Sequence, residues 1–153
     1  MKRYSLIAIT ILFLSNNLFA QTTDQTVSWE FETEQISDNE YQLILKADID
    51  KAWYMYGRNI ADGGPIPLEI NFEENSDYEI SGEIAESKAP IKEYDDIFEI
   101  EIEYFAGKVN FTQTVTINGK TPVSIAVSIY GQACRKVSGV CIPLNAEHIF
   151  TIK

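Results

Sequence analysis

Residues 130–144 read YGQACRKVSGVCIPL and contain both cysteines of the chain, Cys134 and Cys141, with six residues between them. Alternating apolar residues precede this stretch, over 123–130, and a shorter pattern of the same kind follows it, so each flank predicts a β-strand. Ser138-Gly139 is a turn signal. A disulfide requires Cα atoms about 4.4–6.8 Å apart, a separation that a loop folding back on itself provides. The stretch therefore predicts a loop between two strands, closed by a disulfide that can open.

The rest of the chain alternates apolar and polar residues with a period of two, which is typical of half-buried strands, and has almost no helical periodicity. About nine such strands, separated by short turn signals, favour an all-β fold, an immunoglobulin-like antiparallel β-sandwich. Because neither an internal repeat nor a linker interrupts it, the range 21–153 is interpreted as one domain. The strands are predicted at residues 27–32, 41–49, 53–56, 68–72, 78–80, 98–104, 109–117, 123–130 and 148–152.

Three local patterns carry more specific predictions. Pro90 has no backbone N–H to give to a strand ladder, so residues 83–94 are predicted to be irregular. Asn118-Gly119 is the strongest signal for a tight hairpin in the chain. One face of the strand at 98–104 is acidic and is predicted to face solvent; its residues are Glu99, Glu101 and Glu103.

Residues 1–20 have the pattern of a secretory signal peptide. Lys2 and Arg3 form a positive start, an apolar run follows from Leu6 to Leu14, and cleavage is predicted after Ala20. The mature protein is therefore expected in the periplasm or outside the cell. No direct membrane insertion is expected after cleavage, since no later apolar run reaches the ~18 residues of a span. The net charge of −11 disfavours nucleic acid and anionic lipid as partners, because both are polyanions.

The sequence offers few residues for catalysis. Two cysteines and a single histidine, His148, fall short of a four-ligand zinc site, and His148 is interpreted as an ordinary strand residue. The chain has no phosphate-binding loop, dinucleotide-binding glycine pattern or nucleophile elbow. No cofactor and no metal are therefore expected, and the cysteine pair is the remaining candidate.

The role of the cysteine pair stays open at this point. In an oxidising compartment the two thiols are expected to pair with each other. Closing so short a loop stabilises a protein by only roughly 2.5 kcal/mol, and a domain of this size buries enough core without it. Even so, a structural staple is the ordinary role of a disulfide in a secreted protein, and spacing alone favours that role.

Three stretches together agree with one known family. The first is the cysteine stretch, with Tyr-Gly-Gln-Ala before Cys134 and Ile-Pro-Leu after Cys141. The second is Ala-Trp-Tyr-Met-Tyr at 52–56 followed by Gly-Gly-Pro-Ile-Pro at 63–67, and the third is Tyr-Asp-Asp-Ile-Phe at 94–98. They resemble the active loop, the W-x-x-Y … G-G-P-x-P stretch and the acidic-aromatic cap of the N-terminal periplasmic domain of the thiol:disulfide interchange protein DsbD. The resemblance spans nearly the whole mature chain.

The resemblance implies an immunoglobulin-like sandwich that carries out thiol–disulfide exchange. It implies that Cys141 forms the mixed disulfide with a partner protein and that Cys134 resolves it. The implied partners are a membrane electron donor of the DsbD transmembrane type and thioredoxin-like acceptors. The implied cap shields the pair with its apolar members, while its acidic members either handle protons or simply face solvent, the ordinary position of acidic loop residues. It consists of Tyr94, Asp95, Asp96, Ile97 and Phe98.

Two features depart from the best-known members of that family. They have five residues between the cysteines, whereas this chain has six. They also continue into a membrane domain and a thioredoxin-like domain, whereas this sequence ends at Lys153, so we expect a separately encoded version that receives electrons from another protein. Arg135 and Lys136 directly follow Cys134, and nearby cations favour a thiolate.

Two functions from different classes follow. The first is an electron relay, in which a reversible Cys134–Cys141 disulfide passes reducing equivalents to oxidised envelope proteins and makes the chain a thiol:disulfide oxidoreductase. The alternative is a secreted β-sandwich binding module whose disulfide is purely structural. In that module the aromatic run at 53–56 belongs to the core or to a ligand-facing patch. A third, weaker hypothesis is a relay domain that keeps the motif without the activity.

Overall fold

The structure is a computed structural model that describes residues 26–153, so the predicted signal peptide, residues 1–20, lies outside the described part. Residues 26–153 contain no α-helix, and hence none with the length and apolarity of a membrane span. The described chain forms ten strands: β1 (Val27–Gln35), β2 (Glu40–Ile49), β3 (Trp53–Tyr56), β4 (Glu69–Phe72), β5 (Tyr78–Glu86), β6 (Ile91–Asp95), β7 (Ile100–Phe105), β8 (Lys108–Ile117), β9 (Val123–Arg135) and β10 (Cys141–Ile152).

The strands form two antiparallel sheets that pack face to face. The first has the order β1-β2-β8-β5, and the second has the order β10-β9-β3-β7-β6, with β4 also paired to β9. This arrangement confirms the predicted all-β, immunoglobulin-like sandwich, with ten strands where nine were expected.

The core lies between the sheets and follows from the alternation in the sequence. Leu43 and Leu45 of β2 and Phe111 and Val115 of β8 are fully buried, while the residues that alternate with these inward positions are partly or fully exposed. Such period-two burial is what a strand with one solvated face requires. Gln113 is the buried polar exception on β8, and its side-chain amide donates hydrogen bonds to nearby backbone carbonyls.

The predicted irregular segment at 83–94 is in fact mostly strand. β5 continues to Glu86 through a bulge after Ser81, where Gly82 has a φ of +71°. β6 begins at Ile91 and pairs only with β7, so it is an edge strand. Pro90 directly precedes it and removes no ladder hydrogen bond, which is why proline did not prevent a strand here.

The prediction of a hairpin at Asn118-Gly119 is wrong. These residues follow β8 in the first sheet, and the next strand, β9, belongs to the second sheet. The backbone N–H groups of Asn118 and Gly119 both donate to the carbonyl of Asp77, at 2.9 and 3.1 Å. The turn therefore anchors the chain to the β4–β5 connection while it crosses between sheets.

Candidate functional site

The two cysteines lie opposite each other at the turn end of the β9–β10 hairpin. Cys134 is the penultimate residue of β9, Cys141 is the first of β10, and the ladder pairs them directly. The backbone N–H of Arg135 donates to the carbonyl of Val140 at 2.8 Å. The cysteines therefore occupy the next, non-hydrogen-bonded pair, the kind in which facing side chains come closest.

The cysteines form a disulfide, with their Cα atoms 4.0 Å apart, closer than the range expected from the sequence. The loop between them turns at Gly139, which has a φ of +66° and donates its N–H to the carbonyl of Arg135 at 2.9 Å. A positive φ of this kind favours glycine. A loop closed by a disulfide is thus present, but it is shorter than the predicted stretch at 130–144. β9 continues to Arg135 and β10 begins at Cys141, so only residues 136–140 lie between the two strands.

The two cysteines differ sharply in exposure. Cys134 is 0% exposed, whereas Cys141 is an exposed residue. A folded protein approaching this end of the sandwich therefore meets Cys141 and not Cys134. The asymmetry of access is the main chemical feature of the site.

Cys134 is buried by a small apolar cluster that is separate from the inter-sheet core. On β9, Ile125, Val127 and Ile129 point inward. Cys134, an odd number of residues further along the strand, falls at an outward-facing position. It is nevertheless covered, because it packs in a cluster of its own on the outer face of the second sheet. The members of this outer cluster are Tyr54, Tyr56, Ile60, Ile100, Ile102, Tyr104 and Cys134.

Three tyrosines make up much of the outer cluster. Tyr54 is paired directly with Cys134 across β3 and β9, and its hydroxyl lies 3.4 Å from that of Tyr56. The ring of Tyr104 lies 5.0 Å from that of Tyr54, and its hydroxyl donates to the Glu93 carboxylate at 3.2 Å. Burial, reinforced by these hydroxyl contacts, raises the pKa of Tyr56 above its ordinary value, and burial with the Glu93 contact raises the pKa of Tyr104. Residues 53–56 were noted as a family stretch, but nothing in the sequence indicated that the tyrosines cover a cysteine.

The Gly-Gly-Pro stretch lies against the same cluster. A Cβ atom on Gly64 would lie 2.6 Å from Cδ1 of Ile100 and 2.7 Å from Cγ2 of Ile60, so only glycine fits without movement. The N–H of Ile66 donates to the side-chain carbonyl of Gln132, two residues before Cys134, at 3.4 Å. Two of the three stretches that resemble the family therefore meet around one cysteine.

The third stretch forms the turn between β6 and β7. The carboxylate of Asp95 accepts hydrogen bonds from the backbone N–H groups of Ile97 and Phe98, at 2.8 and 3.1 Å. Tyr94 and Ile97 are strongly exposed, Ile97 to 87%, and Phe98 is 38% exposed. Asp95 thus holds the backbone of the turn, and the apolar side chains of the turn lie outside the buried cluster around Cys134.

The two cations beside Cys134 are engaged by other groups. The guanidinium of Arg135 lies over the ring of Trp53, 5.9 Å from its centre, and Nζ of Lys136 donates to the carbonyl of Lys51 at 2.9 Å. The nearest polar contact of Cys141 Sγ is the carbonyl of Gly139, at 3.4 Å. Both cations therefore contact other groups, and the described residues show no cation in contact with a cysteine sulfur that would support the predicted stabilisation of a thiolate.

The prediction that Glu103 faces solvent is wrong. β7 begins only at Ile100, so Glu99 lies in the preceding turn with a φ of +57°, and Glu103 is 5% exposed. The Glu103 carboxylate accepts from the N–H of Asn59 at 2.7 Å, and its backbone carbonyl accepts from Gly57 at 2.7 Å. Glu103 thereby fixes the start of the loop that carries the Gly-Gly-Pro stretch.

The described residues contain no group of three or more metal-ligating side chains close enough to hold an ion. His148 lies in β10, where its ring stacks on Phe31 with centres 4.1 Å apart and packs edge-on against Phe150. It is the ordinary strand residue that the sequence predicted.

Comparison with known proteins identifies the family of the chain. A family model described as "Thiol:disulfide interchange protein DsbD, N-terminal" matches residues 21–153. The chain belongs to this family. The resemblance found in the three sequence stretches is thereby confirmed, and the DsbD N-terminal family is by its description one of thiol:disulfide interchange. No curated protein matches the chain by sequence.

Solved structures share the fold of the DsbD N-terminal family at low identity. The N-terminal periplasmic domain of ScsB from Proteus mirabilis matches with a TM-score of 0.58 and 16% identity, over 82% of this chain and 46% of that one. The chain thus spans less than half of the ScsB chain. The DsbD N-terminal domain of Neisseria meningitidis in its reduced form matches with a TM-score of 0.51 and 15% identity, over 80% and 84% of the two chains. The same domain, in its complex with the PilB N-terminal domain, matches with a TM-score of 0.54 and 12% identity, over 88% of each chain.

Proposed function

We propose that this protein is an extracytoplasmic thiol–disulfide exchange domain that relays electrons through a reversible Cys134–Cys141 disulfide. The observation that carries the proposal is the unequal exposure of the two cysteines, within a chain of the DsbD N-terminal family. A structural staple needs no exposed sulfur. A relay needs one sulfur that a partner can reach and a second, adjacent sulfur that stays out of reach.

The proposed reaction starts from the reduced protein. The Cys141 thiolate attacks one sulfur of the partner's disulfide; a new sulfur–sulfur bond forms, and the partner's other sulfur leaves as a thiolate that takes up a proton. The Cys134 thiolate then attacks Cys141 Sγ and releases the partner's second sulfur. Two electrons and two protons pass to the partner, and the Cys134–Cys141 disulfide remains. A dithiol donor reverses these steps and restores the reduced protein.

The position of Cys134 supports its role as the resolving sulfur. It faces Cys141 in the ladder, so the second attack needs little movement of the backbone. The outer cluster covers Cys134, so a partner protein reaches Cys141 first, and the position of Cys134 opposite Cys141 favours rapid resolution of the mixed disulfide. The same packing supports both reaction through Cys141 and resolution by Cys134.

The β6–β7 turn supports the site as its cap. Residues 94–97 line one surface depression together with Tyr54 and Tyr104 of the outer cluster, and Asp95 accepts the backbone hydrogen bonds of the turn. In this proposal Asp95 acts first as a positioning residue, and any proton transfer belongs to the more exposed Asp96. The supporting residues are Tyr94, Asp95, Asp96, Ile97 and Phe98.

The partners are proposed to be proteins, engaged through mixed disulfides. A DsbD N-terminal domain of Neisseria meningitidis has been solved in complex with the PilB N-terminal domain, which supports a protein partner for this relative. We assign the donor to a membrane protein of the DsbD transmembrane type and the acceptors to thioredoxin-like proteins. The assigned location is the periplasm, with residues 1–20 as the signal peptide and 21–153 as the working domain.

A trapping experiment tests the proposal. Cys134→Ser removes the resolving sulfur, so a partner attacked by Cys141 stays attached, and a non-reducing gel of an envelope extract shows an adduct that a reductant releases. Cys141→Ser, the matched control, leaves only the buried sulfur and gives no adduct. Absence of an adduct with either variant would favour the structural staple.

A further inference from the structure

A surface depression of about 500 Å³ lies between the β6–β7 turn and the cysteine hairpin. Its floor is formed by Tyr54, Ile102 and Tyr104 of the outer cluster. Its rim carries the side chains of Glu93 and Asp96. We call this feature the cap groove.

The cap groove lies beside the reactive hairpin. Tyr54 in its floor is paired with Cys134 across β3 and β9, and Lys136 at its end lies two residues beyond Cys134. A protein bonded to Cys141 sits against this end of the sandwich, so its surface next to the bonded sulfur meets the groove. The groove is open to such a partner, because Ile97 on its wall is 87% exposed.

The charge of the cap groove is negative. Glu93, Asp95 and Asp96 contribute carboxylates. One oxygen of Glu93 accepts from the Tyr104 hydroxyl, and one oxygen of Asp95 accepts from the backbone of the turn. The other oxygen of each of these two carboxylates has no hydrogen bond among the described residues. Lys136 is the one cation among the described residues that line the groove, and its Nζ donates to the carbonyl of Lys51. Among the residues that line it, the groove therefore offers carboxylate oxygens above an aromatic floor.

An aromatic floor with carboxylates above it binds a cationic side chain. The faces of Tyr54 and Tyr104 attract a cation through their ring electrons, and a carboxylate gives a charge-assisted hydrogen bond to an ammonium or guanidinium group. Complementary charge at an interface speeds encounter and sets orientation. An anionic or a purely apolar side chain gains neither interaction.

We infer that the cap groove receives a lysine or arginine side chain of the protein whose disulfide Cys141 attacks, and so selects partners with a basic residue beside the reactive cysteine. This inference rests on the proposed function and adds the charge of the partner to it. The groove acts on docking, before any bond between sulfurs changes.

Two short peptides test the inference. Each carries one cysteine as a mixed disulfide with a chromophoric aromatic thiol, flanked by lysines in one peptide and by glutamates in the other. The rate at which the reduced protein releases the chromophore is measured at low salt. We expect the lysine peptide to react about tenfold faster, the effect of roughly one partly desolvated cation contact.

Matched variants separate the groove from the general charge of the protein. Glu93→Gln with Asp96→Asn removes two groove charges, and the glutamine keeps an oxygen for the Tyr104 hydroxyl. Glu79→Gln with Glu147→Gln removes two exposed charges elsewhere, on β5 and β10. The groove variant should lose most of the preference for the lysine peptide, and the control should keep it.

Different results would overturn the selective cap groove and the proposed exchange function. Equal rates for the two peptides, or a preference that the groove variant retains, would overturn the cap groove as a selective site while the exchange function stands. If neither peptide releases the chromophore, the proposed function falls, and the inference with it.

Discussion

Among single residues, the two cysteines differ because of their neighbours and not because of their position in the strand pattern. Cys134 occupies an outward-facing position on β9, yet tyrosines on β3 and β7 bury it. Cys141, opposite it, has no such cover and is exposed. Sequence alone predicted that they pair, but the burial of one depends on contacts between distant strands, which spacing does not reveal.

Tyr56 makes the cover over Cys134 sensitive to alkaline pH. Burial raises the pKa of Tyr56 in the folded protein, whereas an unfolded tyrosine ionises near pH 10. The stabilisation due to the neutral hydroxyl is therefore complete below pH 10 and is lost as the pH rises beyond it. Denaturant unfolding of the oxidised protein above pH 10 should show a steeper loss of stability in the wild type than in Tyr56→Phe. Parallel curves would contradict the burial of this hydroxyl.

Gly57 and Glu103 form a second test at single residues. A Cβ atom on Gly57 would lie 2.6 Å from Cγ of the buried Glu103 and 2.7 Å from its Oε1. Gly57→Ala should therefore lower the free energy of unfolding by about 1–3 kcal/mol, as overpacking does. In a Glu103→Ala background the clash is gone, so the same substitution should cost markedly less; urea unfolding of the four proteins measures the difference. Additive costs would show that the two residues are not in contact.

At the level of strands and turns, hairpin and edge patterns were only partly predictable. The β9–β10 hairpin and its turn were predicted because the cysteines and Ser138-Gly139 are local signals. Asn118-Gly119 gave the strongest local hairpin signal, yet its backbone N–H groups donate to Asp77 and it connects the two sheets. Local turn chemistry specifies the turn and not the sheet of the next strand. The prediction of an irregular segment around Pro90 failed for a related reason. The loss of one backbone N–H disrupts a sheet only where a neighbouring strand needs that donor, and β6 is an edge strand.

The β6–β7 turn supplies a prediction of its own. Asp95→Ala removes the acceptor of two backbone N–H groups, those of Ile97 and Phe98, and should weaken the turn by about 1 kcal/mol. Amide hydrogen exchange at these two positions should become faster, while global stability changes little. Asp96→Ala, one residue further on, is the matched control and should leave both amides protected. Unchanged exchange in Asp95→Ala would mean that the carboxylate does not hold the turn.

In the molecule as a whole, the residues that form the core between the sheets are distinct from those that surround the disulfide. The core between the two sheets is built from β2, β8, β9 and their neighbours, and the cluster around Cys134 lies on the outside of the second sheet. Alternation in the sequence predicted the first of these layers, since each strand buries one face. It could not predict the second, which uses outward-facing residues of β3, β7 and β9. Opening the disulfide should therefore leave the sandwich folded.

The reduction potential of the Cys134–Cys141 disulfide tests the central claim most directly. The protein is equilibrated in dithiothreitol redox buffers of graded potential, the thiols are quantified by alkylation and mass, and far-ultraviolet circular dichroism follows the fold. A relay disulfide should have a potential above about −300 mV and should open while the β-sheet signal is unchanged. A potential below about −300 mV, or reduction only together with unfolding, would identify the bond as an inert staple and contradict the account.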